Sequence, residues 1–284
     1  MQERWFDVTG ADGVRLRARE VAGPTPDAPG LLLHHGLASS QRIWDLMLPR
    51  LARRFRTVTY DARGHGLSAK PTSGYGFDRV VADAVAVLRV AKLGRPVVVG
   101  HSWGAMVALE LAVTRPRSAS GITLIDGGVS PPGDRGSWEG FKTRLAPPML
   151  DGMALEEFRA GMRRFSAVPV TPQIEALFLS LMRVDADARI HPRLSRANHF
   201  RILRAIWEQD PPALYERLRT ATMAILARGD DATWNGAKRE GVRAMRSAGV
   251  PVEVTWIRGV HDLPVQHPGR LATRIERFAD AAVG

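Results

Sequence analysis

The pentapeptide Gly100-His101-Ser102-Trp103-Gly104 follows an apolar run, Pro96-Val97-Val98-Val99, and opens a helix-like stretch from Ala105 to Thr114. A serine between two glycines at a strand-to-helix turn is placed for nucleophilic attack. So tight a turn needs small flanking residues, and its strained backbone lifts the hydroxyl clear of the sheet. The same pentapeptide also fits an ordinary strand-loop-helix junction whose glycines cap elements, so the rest of the chain must decide. A serine nucleophile needs a base, an acid that orients the base, and N–H donors for the developing oxyanion. His261 supplies a candidate base, because it follows the last expected strand, Val252 to Ile257, after a short turn. His65, His101, His191, His199 and His267 have structural or solvated roles as their simpler reading.

These residues must be held by a scaffold. At 284 residues and 45% hydrophobic content the chain can bury one large core, with room for an insertion. It contains no cysteine, which excludes disulfides, thiol nucleophiles and thiolate metal sites. No apolar run approaches the length of a membrane span and Met1-Gln2-Glu3-Arg4-Trp5 lacks the pattern of a secretory signal, so a soluble, cytoplasmic protein is expected. The formal charge of +11 is spread as scattered arginines among interleaved acids, with only four lysines (Lys70, Lys92, Lys142, Lys238). No long basic tract appears, and nucleic acid is not an expected partner.

Strands are expected at Val14 to Glu20, Gly30 to His34, Arg56 to Tyr60, Pro96 to Gly100, Ile122 to Ile125, Ala224 to Ala227 and Val252 to Ile257. Helical spacing marks Gln41 to Arg53 and Phe77 to Leu93. Such alternation predicts a mostly parallel sheet covered on both faces, with ligands beyond the carboxyl ends of its strands. From about Ser130 to Arg219 the rhythm breaks. No strand is apparent there, while Ala154 to Phe165, Gln173 to Arg183 and Ser195 to Glu208 read as helices. The expected organisation is therefore a core from 1–129 and 220–284 with a helical cap at 130–219. Apolar cap residues such as Trp138, Phe141, Met149, Phe165, Phe178 and Trp207 either line a pocket or pack the cap onto the core.

Four motifs in order resemble the capped α/β-hydrolases: Leu31-Leu32-Leu33-His34-His35-Gly36-Leu37, Asp61-Ala62-Arg63-Gly64-His65-Gly66-Leu67-Ser68, Gly100-His101-Ser102-Trp103-Gly104 and Gly259-Val260-His261-Asp262-Leu263-Pro264. The resemblance spans nearly the whole chain outside the insert. It implies an eight-stranded, mostly parallel sheet with helices on both faces and a cap after the sixth strand.

The resemblance also implies where the acid belongs. The family usually places it in the loop after the strand at Met223 to Ala227, here Arg228-Gly229-Asp230-Asp231. Asp231 is favoured, since the extra residue after Gly229 lets the chain clear the strand end before the carboxylate turns toward His261. Asp230 and Asp126 remain open, the latter because some relatives carry the acid after the strand at Ile122 to Ile125. The elbow supplies the backbone N–H of Trp103 as one oxyanion donor, and the resemblance implies that of Leu37 as the second. Ser102, His261 and Asp231 would then run a two-step acyl transfer on an ester-like bond of a small molecule. Neither metal nor organic cofactor is expected, because no phosphate-binding loop, dinucleotide fingerprint or zinc-spaced histidine pair is present. Carboxylester or lactone hydrolysis is the default. Carbon–carbon bond hydrolysis, peroxide-dependent acyl exchange, N-terminal peptide cleavage and a non-catalytic receptor are the alternatives on this fold.

Overall fold

The computed structural model describes residues 2–129 and 136–283. Strand β1 (Glu3–Thr9) and β2 (Arg15–Val21) form an antiparallel hairpin at one edge of the main sheet. The chain then runs through β3 (Gly30–His34), α1 (Leu48–Leu51), β4 (Arg56–Tyr60), α2 (Phe77–Ala91), β5 (Val97–His101), α3 (Trp103–Thr114) and β6 (Gly121–Ile125). An insert follows, with α4 (Trp138–Arg144), β7 (Met153–Ala154), α5 (Leu155–Phe165), α6 (Pro172–Leu179), β8 (Met182–Val184), β9 (Arg189–Pro192), α7 (Arg196–Glu208) and α8 (Pro211–Tyr215). The fold closes with β10 (Ala221–Arg228), α9 (Ala232–Ser247), β11 (Val252–Arg258), α10 (Leu263–Gln266) and α11 (Pro268–Val283).

The eight-stranded sheet has the order β1-β2-β4-β3-β5-β6-β10-β11, with β2 antiparallel to β4 and every later pairing parallel. Alternation along its strands feeds two cores. Leu32, Val98, Ala224 and Leu226 face α2, α3 and α9, whereas Leu31, Leu33, Val97, Val99, Met223 and Ile225 face α1 and α11. Helix α3 is apolar nearly all round because it lies between the sheet and both α2 and α8. The region expected as one helix over Gln41 to Arg53 is instead a 3-10 turn at Gln41–Trp44 and the single-turn α1, with Pro49 at the start of the latter.

The insert departs from the all-helical expectation. Its β7, β9 and β8 form a small antiparallel sheet whose strands of two to four residues are too short to leave an alternating pattern. Ser130, where the insert was expected to begin, lies outside the described residues. The insert rests on loops that follow the carboxyl ends of β3 and β4: Ser180 bonds Ser40 at 2.9 Å, and Asn198 Nδ2 donates to Pro71 O at 3.1 Å. Its apolar residues divide. Phe141 and Met182 are buried, Trp138 and Trp207 sandwich with Arg204, and Met149 and Phe165 are 75% and 78% exposed. Phe165 carries Arg164 over its ring rather than lining a cavity. Among the described residues no helix is long and apolar enough to cross a membrane.

Candidate active site

Ser102 lies one residue beyond β5, at φ 55 and ψ −119, a conformation that costs a non-glycine residue roughly 1–3 kcal/mol. The elbow survives because its surroundings leave no alternative. Ser102 N donates to Ile125 O at 2.8 Å, and a Cβ at Gly100 would lie 2.1 Å from Gly104 O. A Cβ at Gly104 would lie 2.3 Å from His34 O, so α3 can start here only if both elbow positions are glycine.

His261 reaches this hydroxyl from the loop after β11. Its Nε2 is 2.8 Å from Ser102 Oγ, and its Nδ1 is 2.7 Å from Asp126 Oδ2. Because a carboxylate only accepts, Nδ1 carries the proton and Nε2 is left to accept the serine O–H. The imidazole is half exposed, which leaves the pair open to a reactant. The loop is pinned by Gln266, whose Oε1 accepts Val260 N at 2.8 Å, and by His101, whose Nε2 donates to His261 O at 3.0 Å.

The carboxylate beside His261 is Asp126, and this corrects the expectation of Asp231. Asp231 sits at the N-cap of α9, where its Oδ1 accepts the N–H groups of Thr233 and Trp234 at 2.8 and 3.0 Å. Helix capping takes that side chain away from the histidine. Asp126 follows β6 at φ 45, with its side chain buried. Its Oδ1 accepts Ala227 N at 2.9 Å and the Lys238 ammonium at 2.7 Å. Burial alone would raise this carboxyl, but the hydrogen bonds and charges of His261 and Lys238 hold it below the usual carboxylate range. Two local features of the structure separate the two carboxylates. Asp231 precedes a helical run, as an N-cap does, and Asp126 is followed by Gly127, where a Cβ would lie 2.1 Å from Ser102 O.

The loop carrying Leu37 passes Ser102, since a Cβ at Gly36 would lie 3.1 Å from Ser102 Cβ. His35 Nδ1 donates to Gly36 O at 2.8 Å, and Ala38 N donates to His65 Nε2 at 3.3 Å. Trp103 begins α3, and a first-turn N–H has no acceptor within its own helix. Beneath the elbow, the Trp103 ring stacks on His65 and meets His34 edge-on, with ring centroids 5.4 and 5.2 Å away. Burial holds His34 down to about 3 and His101 down to about 4, and lowers His35 and His65, so all four are neutral near pH 7. His65 and His101 have structural places here, and His199 Nε2 donates to Leu145 O at 3.1 Å within the insert, consistent with their simpler reading, while Lys238 and Gln266 carried no recognisable signal.

An eight-stranded sheet, a strained serine between β5 and α3, and a histidine after the last strand define the α/β-hydrolase class. The chain belongs to the alpha/beta hydrolase family, which it matches over residues 31–274. It is 35% identical over 98 residues to the 2-(acetamidomethylene)succinate hydrolase of Mesorhizobium japonicum, covering 34% of this chain and 35% of that protein. Similarity to the putative carbamate hydrolase RutD of Klebsiella pneumoniae is 31% over 116 residues, 40% of this chain and 44% of that one. The matched stretches therefore span less than half of these curated relatives. The crystal structure of E-2-(acetamidomethylene)succinate hydrolase superposes with a TM-score of 0.78 at 24% identity, covering 98% of this chain and 100% of that one, a likeness of fold.

Proposed function

We propose that the protein is a serine hydrolase that cleaves an ester-like bond, as a carboxylesterase or lactonase, in a small, largely apolar molecule. The observation that carries this reading is the unbroken line from Ser102 Oγ through His261 to Asp126, with contacts of 2.8 and 2.7 Å. In the first step His261 takes the serine proton as Oγ attacks the carbonyl, and the resulting imidazolium is stabilised by Asp126. The amides of Trp103 and Leu37 hold the oxyanion, a role worth roughly 3 kcal/mol per donor. His261 then returns its proton to the leaving group, and water attacks the acyl-enzyme by the reverse sequence. Residues 130–219 serve as a cap over this site, and 1–129 with 220–284 form the catalytic core. The relatives named above support carbonyl chemistry on small molecules, since an acetamidomethylene succinate and a carbamate both carry an acyl centre. Serine at the elbow disfavours epoxide opening and dehalogenation, which need a carboxylate there.

A fluorophosphonate probe tests the reading directly. Labelling localised to Ser102 and lost in His261→Ala is the expected result, whereas an unreactive Ser102 would favour a ligand receptor. With p-nitrophenyl esters, acyl groups of medium length should outperform acetyl if the cap encloses an apolar slot. A flat or inverted chain-length profile removes that part of the proposal.

A further inference from the structure

Lys238 is one of only four lysines in the chain, and its partner is the acid beside the histidine. It rises from α9, is mostly buried, and places Nζ 2.7 Å from Asp126 Oδ1 and 2.8 Å from Ala227 O. With Ala227 N also on Oδ1, every contact on that oxygen among the described residues comes from β10 and α9, and Oδ2 is left to His261. A proton relay of this kind needs an acid to orient and charge-balance the imidazole, and neither task by itself calls for a cation on the acid's far side. Orientation is already served by the backbone amide, so the ammonium adds a charge that opposes part of the carboxylate's field at the ring. The other groups facing His261 are His101 from β5, with ring centroids 5.0 Å apart, and Ser102 from the elbow. Asp231, in the loop leading into α9, turns back to cap that helix rather than toward the ring.

We propose that Lys238 is a positioning residue for the relay: it clamps the far oxygen of Asp126 and offsets part of the carboxylate's charge, so that Oδ2 meets the His261 ring with a weakened field. The proposal rests on the serine-hydrolase reading and extends it. Removing the ammonium leaves an uncompensated carboxylate against the ring, stabilises the imidazolium, and delays activation of Ser102 to higher pH.

The test is the pH dependence of single-turnover fluorophosphonate labelling of Ser102 in the full chain, in Lys238→Met and in Lys238→Arg, with thermal melts alongside. Lys238→Met is expected to move the acid limb up by about half to one pH unit, slowing labelling ~3–10-fold near pH 6 and less at pH 9. Lys238→Arg should retain the original midpoint. If the methionine variant does not fold, Lys238→Gln, which keeps a donor without the charge, carries the same comparison. A profile lowered uniformly with its midpoint unmoved, or an unchanged profile, overturns the assignment of Lys238 alone. An unaltered chain that fails to label overturns the hydrolase reading beneath it.

Discussion

At Asp126 the backbone turns to φ 45 and swings the carboxylate among Ala227 N–H, Lys238 and His261, while at Asp231 φ is −74 and the carboxylate folds back on its own helix. Both residues follow neighbouring strands, since β6 and β10 pair in register up to Ile125 and Ile225. Sequence position alone therefore left both carboxylates candidates for the histidine, and only the local backbone separates them. Ser102 and His261 were legible because one lies in a glycine-flanked elbow and the other in a turn after the last strand. The acid was not, because its direction depends on a positive φ that an aspartate seldom signals. Asp231→Ala should remove the cap and cost about 1 kcal/mol, lowering Tm by roughly 2–4 °C in a domain of this size, with kcat kept. Loss of turnover at unchanged Tm would reassign the acid.

Among the elements, β3 and β4 were readable to the residue, β3 as an apolar run and β4 as the β-branched and aromatic stretch Thr57-Val58-Thr59-Tyr60, both enclosed on both faces. The edge strand β1 was not, because Glu-Arg-Trp-Phe-Asp-Val-Thr buries only Val8 and pairs on one side alone. The insert's short strands escaped for a similar reason: Ile190 is the one fully enclosed side chain of β9. Glycine contacts predict which elements tolerate change. Gly104→Ala would drive a methyl into His34 O, backbone of a central strand that cannot yield, and should cost ~3 kcal/mol or more or prevent folding. Gly236→Ala, within α9 with nothing inside 4 Å of its Cβ, should instead stabilise by about 0.5–1 kcal/mol. Denaturant titration of the two variants checks the contrast, and equal effects would contradict it. Arg63, forked onto Asp83 at 2.6 and 2.8 Å in the core, ties the His65 turn to α2. Arg63→Ala should cost about 3–5 kcal/mol by stranding that carboxylate.

Across the whole molecule, the sheet gathers its loops at one end and buries a set of neutral histidines beneath them. His34, His35, His65 and His101 all have folded-state values lowered by burial, to about 3 for His34 and about 4 for His101. As pH falls below roughly 6.5 the unfolded chain takes up these protons first, so it binds more protons than the native state and stability declines. The contribution is fully present above about pH 6.5 and drains at up to about 1.4 kcal/mol per pH unit for each group on the way down to the folded values. Urea midpoints measured from pH 7.5 to 5 should fall steeply below pH 6.5, and a flat series would contradict the neutral, buried assignment.

The contact of Asp126 with His261 is the feature on which the account turns. Turnover of a p-nitrophenyl ester by Asp126→Asn and Asp231→Asn, measured side by side on folded protein, tests it most directly. The expected result is a loss of about 10³-fold or more in kcat for Asp126→Asn and a near-normal rate for Asp231→Asn. A near-normal rate for Asp126→Asn would contradict it.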